Sequence, residues 1–258
     1  MKKNSSTWLK AVVIAVSVGV GFIIRLLYCI CYPVPVRDAF SYQKIIEEWN
    51  ETGILPDTEA YPPLGLFLLK APSSLFSIDT IKGGVIVNML LGLGIIILSI
   101  CISYQIIRSH FVVGLVGLIV ATHPTLVGYS CQLLRENSYL FFCDFSILFA
   151  IRFYKDKRIP NLLGTAFFSA AAFLCRHEAI EMLLFYSIFI LLWNKEELKR
   201  RMINCTVLFT FFFLTCISIS YAIGVPLEYY KSYTEKYTKK EKSEIVQQFT
   251  PELSITDP

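Results

Sequence analysis

The chain has 258 residues, of which 55% are hydrophobic and only 17% charged, with a mean hydropathy of +0.56. A soluble globular protein carries about a quarter charged residues, so a chain this poor in charge is excluded from that class. Its net charge of +4 is spread along loops between apolar runs, which excludes a nucleic-acid footprint and fits the basic loops of a polytopic membrane protein.

The first apolar run extends from Leu9 to Cys31, behind Lys2, Lys3 and Lys10. It is longer than the apolar core of a secretory signal and ends in Tyr32-Pro33-Val34-Pro35 rather than a small-residue cleavage site, so an uncleaved anchor is expected. Arg25 falls in the outer third of this span, where an arginine either snorkels to the interface or faces a polar interior.

A polar loop follows over about residues 33–80. Within it Tyr42, Ile45, Ile46 and Trp49 recur at helical spacing, with Lys44, Glu47, Glu48 and Glu51 on the other side. That pattern predicts an amphipathic helix lying in the membrane interface. Asp38 stands at its first turn and has two readings: an N-cap accepting from first-turn amides, or a general base held at the membrane surface. Tyr61-Pro62-Pro63-Leu64 comes next; paired prolines can open a helix but not sit inside one, so a short helix from Leu64 to Phe76 is expected.

Further apolar runs lie at Ile81–Ile107, Phe111–Tyr129, Asn137–Phe153, Asn161–Cys175, Ala179–Trp193 and Met202–Ile223. With the first run they predict an all-α polytopic protein of about seven transmembrane helices: a membrane module over residues 1–224 and a polar extracytoplasmic tail over 225–258. The fifth and sixth predicted spans are short, about 22 Å each at 1.5 Å per residue, and are divided by Arg176-His177-Glu178. One unbroken span would bury those three polar groups at mid-membrane, so two are preferred. Within the third span, His123-Pro124 reads as a proline kink, and Asp144 in the fourth as an interhelical hydrogen-bonding group.

Orientation follows from the basic residues. An N-terminus in the cytoplasm puts Lys2, Lys3, Lys10, Arg108, Arg152, Lys155, Lys157, Arg158, Lys195, Lys199, Arg200 and Arg201 inside. The lysines of the tail run against this pattern. The inside placement leaves Arg25, Asp38, Arg135, Glu136, Arg176 and Glu178 at one outer level. Arginines around an outer cavity suit an anionic, lipid-linked ligand such as a phosphate diester. The plain alternative is that each acid–base pair neutralises itself at the interface. The cysteines are scattered singly in apolar stretches and read as buried thiols; they form no metal-ligand spacing with histidine, and no metal or cofactor is expected. Of the sequons, only that at Asn50 falls in an outer loop.

The order Arg25, Asp38-Ala39-Phe40-Ser41-Tyr42, Tyr61-Pro62-Pro63-Leu64, Pro124, Arg135-Glu136-Asn137 and Arg176-His177-Glu178 resembles the class C membrane glycosyltransferases. Within them it is most similar to the bacterial branch related to protein O-mannosyltransferases and lipid A sugar transferases. The resemblance covers about residues 8–224 and implies a multi-pass protein of the cell (inner) membrane that takes a polyprenyl-phosphate sugar as donor. It implies Asp38 as the base that activates an acceptor hydroxyl, with inversion at the sugar. Tyr42, Tyr61, Arg135, Glu136, Arg176, Glu178 and Arg25 are its substrate-binding candidates. Asp38-Ala39 stands where many relatives have Asp-Glu, and relatives run to further helices, so the sequence is expected to be a fragment, a split product whose partner subunit supplies those helices, or a degenerate copy. A non-catalytic or accessory protein of the same fold is the second reading. A small transporter is the third, disfavoured because its polar groups belong near mid-bilayer rather than at one end of the spans.

Overall fold

The computed structural model describes residues 2–32, 36–56, 61–193 and 197–225, and the side chains of all of these except 2–7 and 193. Among the described residues there are ten α-helices, one 3-10 turn and no strand. They are α1 Lys2–Cys31, α2 Arg37–Thr52, α3 Pro63–Phe76, α4 Thr80–Ile106, α5 His110–Thr122, α6 Pro124–Ser130, α7 Glu136–Asp156, α8 Ile159–Phe173, α9 Ile180–Trp193 and α10 Leu198–Ala222. All seven apolar runs are helical. By length and apolarity three helical segments can cross a bilayer, Trp8–Cys31, Thr80–Ile106 and Leu198–Ala222, and a fourth can if α5 and α6 count as one span. Ile23, Leu27, Leu90, Ile119, Phe185, Leu192 and Phe213 are exposed on their outward faces, as lipid contact requires.

Local chemistry sets the helix ends. Asp79 caps α4, its carboxylate accepting from the Lys82 amide at 3.0 Å, and Ser109 does the same for Val112 at the start of α5. Pro63 opens α3, where a missing N–H costs nothing. Gly53, with φ at 72°, closes α2 by donating to the Trp49 carbonyl. Pro124 ends α5, and α6 leaves at a bend of 54°, which is the expected kink sharpened into a break.

The long helices form a bundle with two chemically different ends. α7 packs along α8 and against α4, α1 along α5, and α10 against α8 and α9. At one end Lys10 lies 5.1 Å from the Tyr104 ring, Lys155 donates to Gln105, and Arg158, Asn161 and Asp156 meet in the α7–α8 turn. The other end carries α2, α3, the α6–α7 corner, the α8–α9 hairpin and Val225 at the close of α10. Midway, Ser99 donates to Asp144 at 3.3 Å, the expected interhelical bond.

The predicted face of α2 forms as the spacing requires, with Tyr42, Ile45, Ile46 and Trp49 buried. Protein covers it: Leu66 and Leu69 of α3, Leu133 and Leu134 of the corner, and Val225. Asn50 ties α2 to α3 through Ser73 at 3.0 Å and Ser74 at 2.7 Å. Of the expected tail, residues 226–258 lie outside the described residues.

Candidate functional site

Between α6 and α7 the chain turns through Cys131–Arg135, which delivers Arg135 and Glu136 to the end of the bundle. Arg135 lies between two tyrosines, its guanidinium carbon 4.7 Å from the Tyr61 ring centre and 5.6 Å from that of Tyr42. The two rings themselves meet edge-on at 5.2 Å. Tyrosine faces hold a guanidinium in place without neutralising it, since the attraction is to ring quadrupoles rather than a counter-charge. Arg135 Nε and Nη1 are buried without a hydrogen-bond partner, and no carboxylate of the described residues lies within ion-pair distance. Gly65 of α3 makes room for it, because a Cβ there would stand 3.0 Å from the Arg135 Cβ.

The second arginine is committed. Arg176 donates to Glu136 Oε1 at 3.2 Å and to both oxygens of Glu178, at 2.8 and 3.4 Å. Glu178 holds the Arg176 guanidinium above its ordinary pKa, and Arg176 holds the Glu178 carboxyl below its own. Glu136 Oε2 is buried with no hydrogen-bond partner. His177, between the paired residues, is pushed down to about 4 by burial and then by Arg135, so at neutral pH it adds no charge. The self-neutralising reading therefore holds for Arg176 and fails for Arg135.

On α2, Asp38 is exposed in the first turn. Val36 is the N-cap residue, no side chain caps the helix, and Asp38 has no hydrogen bond or ion pair among the described residues. The N-cap reading of Asp38 is thereby corrected: the helix begins one residue before it, so its carboxylate lies too far along the helix to cap the first amides. Asp38, Arg135 and Glu136 all act on the Tyr42 phenol. Burial raises the pKa of that phenol, with Arg135 opposing and the two carboxylates adding. Asp38, Tyr42, Tyr61, Arg135, Glu136, Arg176 and Glu178 are thus gathered at one end.

Arg25 is not among them. It is fully buried, donating from Nε to Ser130 Oγ at 2.9 Å and from Nη1 to the Ala121 and Gly21 carbonyls at 3.0 and 3.1 Å. Of its two readings, the polar interior is the one that holds: the α5–α6 break frees the Ala121 carbonyl inside the bundle and Arg25 satisfies it. Gly92 admits this arrangement, since a Cβ there would collide with Ser130 Oγ.

Asn88, Ser130 and Gln132 escaped the sequence reading. Asn137 donates to Ser130 Oγ and to the Asn88 carbonyl, both at 2.9 Å, and the Asn88 amide donates to the Gln132 and Leu134 carbonyls, both at 2.6 Å. Asn88 was the available signal, an amide within an otherwise apolar span. Among the described residues no three His, Cys, Asp or Glu side chains converge as metal ligands would.

Searches of characterised proteins and of solved structures returned no match. A family model does match, over residues 60–221, more than half of the chain, and its description is dolichyl-phosphate-mannose-protein mannosyltransferase. The match takes in Tyr61, Arg135, Glu136, Arg176 and Glu178 and leaves Arg25, Asp38 and Tyr42 outside. With apolar helices presenting, among the described residues, an ion-paired and an unpaired arginine at one end of the bundle, and this match spanning both, the chain belongs to the dolichyl-phosphate-mannose-protein mannosyltransferase family.

Proposed function

We propose that this protein transfers a sugar from a polyprenyl-phosphate donor to a hydroxyl of a lipid, glycan or protein acceptor on the extracytoplasmic face, with inversion at the anomeric carbon. The family is one of membrane glycosyltransferases that use a polyprenyl-phosphate sugar donor. The observation that carries the reading further is Arg135, a guanidinium stacked on two tyrosines with two buried N–H groups uncommitted. A phosphate diester supplies the acceptor oxygens and the negative charge that such a group lacks.

In this reading Asp38 takes the proton of the acceptor hydroxyl, whose oxygen attacks the anomeric carbon from the face opposite the phosphate. The bond from that carbon to the phosphate oxygen breaks, and polyprenyl phosphate leaves with the electron pair. The added negative charge falls on the phosphate, where Arg135 meets it without a proton donor. Glu136 and Glu178 hold Arg176 beside it. The exposure of Asp38 suits a base that must reach an acceptor arriving from solvent.

The placement at the extracytoplasmic face rests on charge. Lys10, Arg108, Arg152, Lys155, Lys157 and Arg158 lie at the far end, which the positive-inside rule assigns to the cytoplasm. Seven crossings follow if α7, α8 and α9 also traverse, their ends alternating between the basic end and the site end. The shortness of α8 and α9, about 22 Å by rise per residue, then implies a locally thinned bilayer beside them.

A second reading, a non-catalytic subunit of the same fold, draws on the two carboxylates that already occupy Arg176. One experiment separates the two. Purified chain in nanodiscs is given synthetic polyprenyl-phosphate mannose and a membrane extract as acceptor source, and released polyprenyl phosphate is measured. The wild type is expected to release it, and Asp38→Asn to be slower by about a hundredfold or more. Equal rates in the two would refute the base; no release by either supports the non-catalytic reading.

A further inference from the structure

Two halves of the candidate site sit on separate elements: Asp38 on α2 and Arg135 on the α6–α7 corner. Their geometry is useful only if those elements keep a fixed spacing, because proton removal and phosphate binding act on one substrate pair. The contacts that set this spacing run through one residue of the corner.

Residues 131–134 lie outside the helices, and the turn makes few bonds of its own, the Leu134 N–H to the Gln132 carbonyl at 2.9 Å among them. Asn88 of α4 adds the grip that fixes the turn to the bundle. Its side-chain amide donates to the Gln132 carbonyl and to the Leu134 carbonyl, at 2.6 Å each, gripping the corner on both sides of the buried Leu133. Asn88 is itself fully buried and is held in turn by Asn137, which donates to its backbone carbonyl at 2.9 Å. The corner is therefore anchored on the long helix α4, one residue before Arg135.

The side chain of the same Gln132 reaches the other way. Its Oε1 accepts from the backbone N–H of Val36 at 2.8 Å. Val36 is the N-cap residue of α2, whose N–H has no place in the helical ladder, and Asp38 follows two residues later. A single residue thus has its backbone fixed to α4 and its side chain fixed to the opening of α2.

We propose that Gln132, seated by Asn88, is a positioning residue that sets Asp38 against Arg135. The inference rests on the reading of Asp38 as the base. It differs from that reading in predicting an effect from a side chain that takes no proton. Loss of the Gln132 acceptor frees the start of α2 while Arg135 stays held by Asn88, so proton removal suffers and donor binding does not.

The test uses the full chain in nanodiscs as wild type, Gln132→Met, Gln132→Glu and Asp38→Asn. Met keeps the length of the side chain and drops the oxygen acceptor; Glu keeps an acceptor oxygen. Three quantities are read: kcat and KM for synthetic polyprenyl-phosphate mannose with the membrane extract as acceptor source, and amide hydrogen exchange over residues 36–42. For Gln132→Met, kcat is expected to fall about tenfold or more while KM changes less than about twofold, and exchange at the start of α2 to quicken. Gln132→Glu is expected to restore the slow exchange. If Gln132→Met exchanges like the wild type, the inference is overturned. It is overturned equally if exchange quickens and kcat holds while Asp38→Asn is inactive, since Gln132 is then only structural. If Asp38→Asn is fully active, the base reading has failed instead, and the exchange measurement alone decides whether Gln132 sets α2.

Discussion

Arg135 and Arg176 are the same residue type at the same end of the bundle, and they differ in what surrounds them. Arg176 is answered by Glu136 and Glu178, while Arg135 is answered by the faces of Tyr42 and Tyr61. A bound phosphate therefore gains more from Arg135, because it need not displace a carboxylate first. Arg135→Met is expected to raise the KM for polyprenyl-phosphate mannose about tenfold or more, from loss of a charge-assisted pair. Arg135→Lys is not expected to recover it, since an ammonium cannot present a planar fork between two rings. Steady-state kinetics on the two variants decides this, and a KM unchanged in Arg135→Met would overturn the proposed donor contact. Both arginines were legible in the sequence, because charge is conspicuous in an apolar chain. The distinction between them was not, since it depends on Tyr42 and Tyr61 arriving from elements far from Arg135 in the sequence.

At the scale of elements, the break between α5 and α6 is where local chemistry and packing meet. Pro124 removes a backbone donor from an otherwise apolar helical run, and the sequence shows where a kink or break falls. What the break does with its freed carbonyl is decided by α1, which brings Arg25 against Ala121 and Ser130. Arg25→Leu leaves the Ala121 carbonyl buried without a donor. This is expected to cost about 1–3 kcal/mol, read as a lower midpoint of thermal unfolding in detergent. Arg25→Lys should fall between, because one ammonium cannot span three acceptors. An unchanged midpoint for Arg25→Leu would mean the carbonyl finds another partner. The helix α2 teaches the complementary lesson. Its amphipathic spacing predicted the helix and its buried residues, but an apolar face is equally suited to lipid and to protein. The leucines of α3 and the corner took it.

Among the described residues the bundle is polar at both ends, and the ends differ in kind: one mainly basic, the other holding carboxylates together with arginines. In a chain with its native cysteines replaced, a single cysteine at Phe40 is expected to react with a membrane-impermeant maleimide in intact cells. One at Arg108 should react only after permeabilisation. Labelling of both from outside would overturn the proposed orientation and, with it, the face on which transfer occurs. Hydropathy and charge made the membrane class, the positions of the helices and the order of the chemical groups readable, because those follow from transfer free energy and backbone hydrogen bonding along the chain.

Sequence alone determined that this is an all-helical membrane protein with arginines and carboxylates between its apolar runs, and that Pro124 breaks one of them. Tertiary structure alone decided that Arg25 is bonded to the α5–α6 break, that among the described residues Arg176 is ion-paired and Arg135 is not, and that Asn88 and Gln132 join α4 to α2. The physical reason is the range of the forces involved. Apolar transfer and helix formation are summed over neighbouring residues. A buried hydrogen bond or ion pair exists only where packing brings two distant groups within about 3 Å.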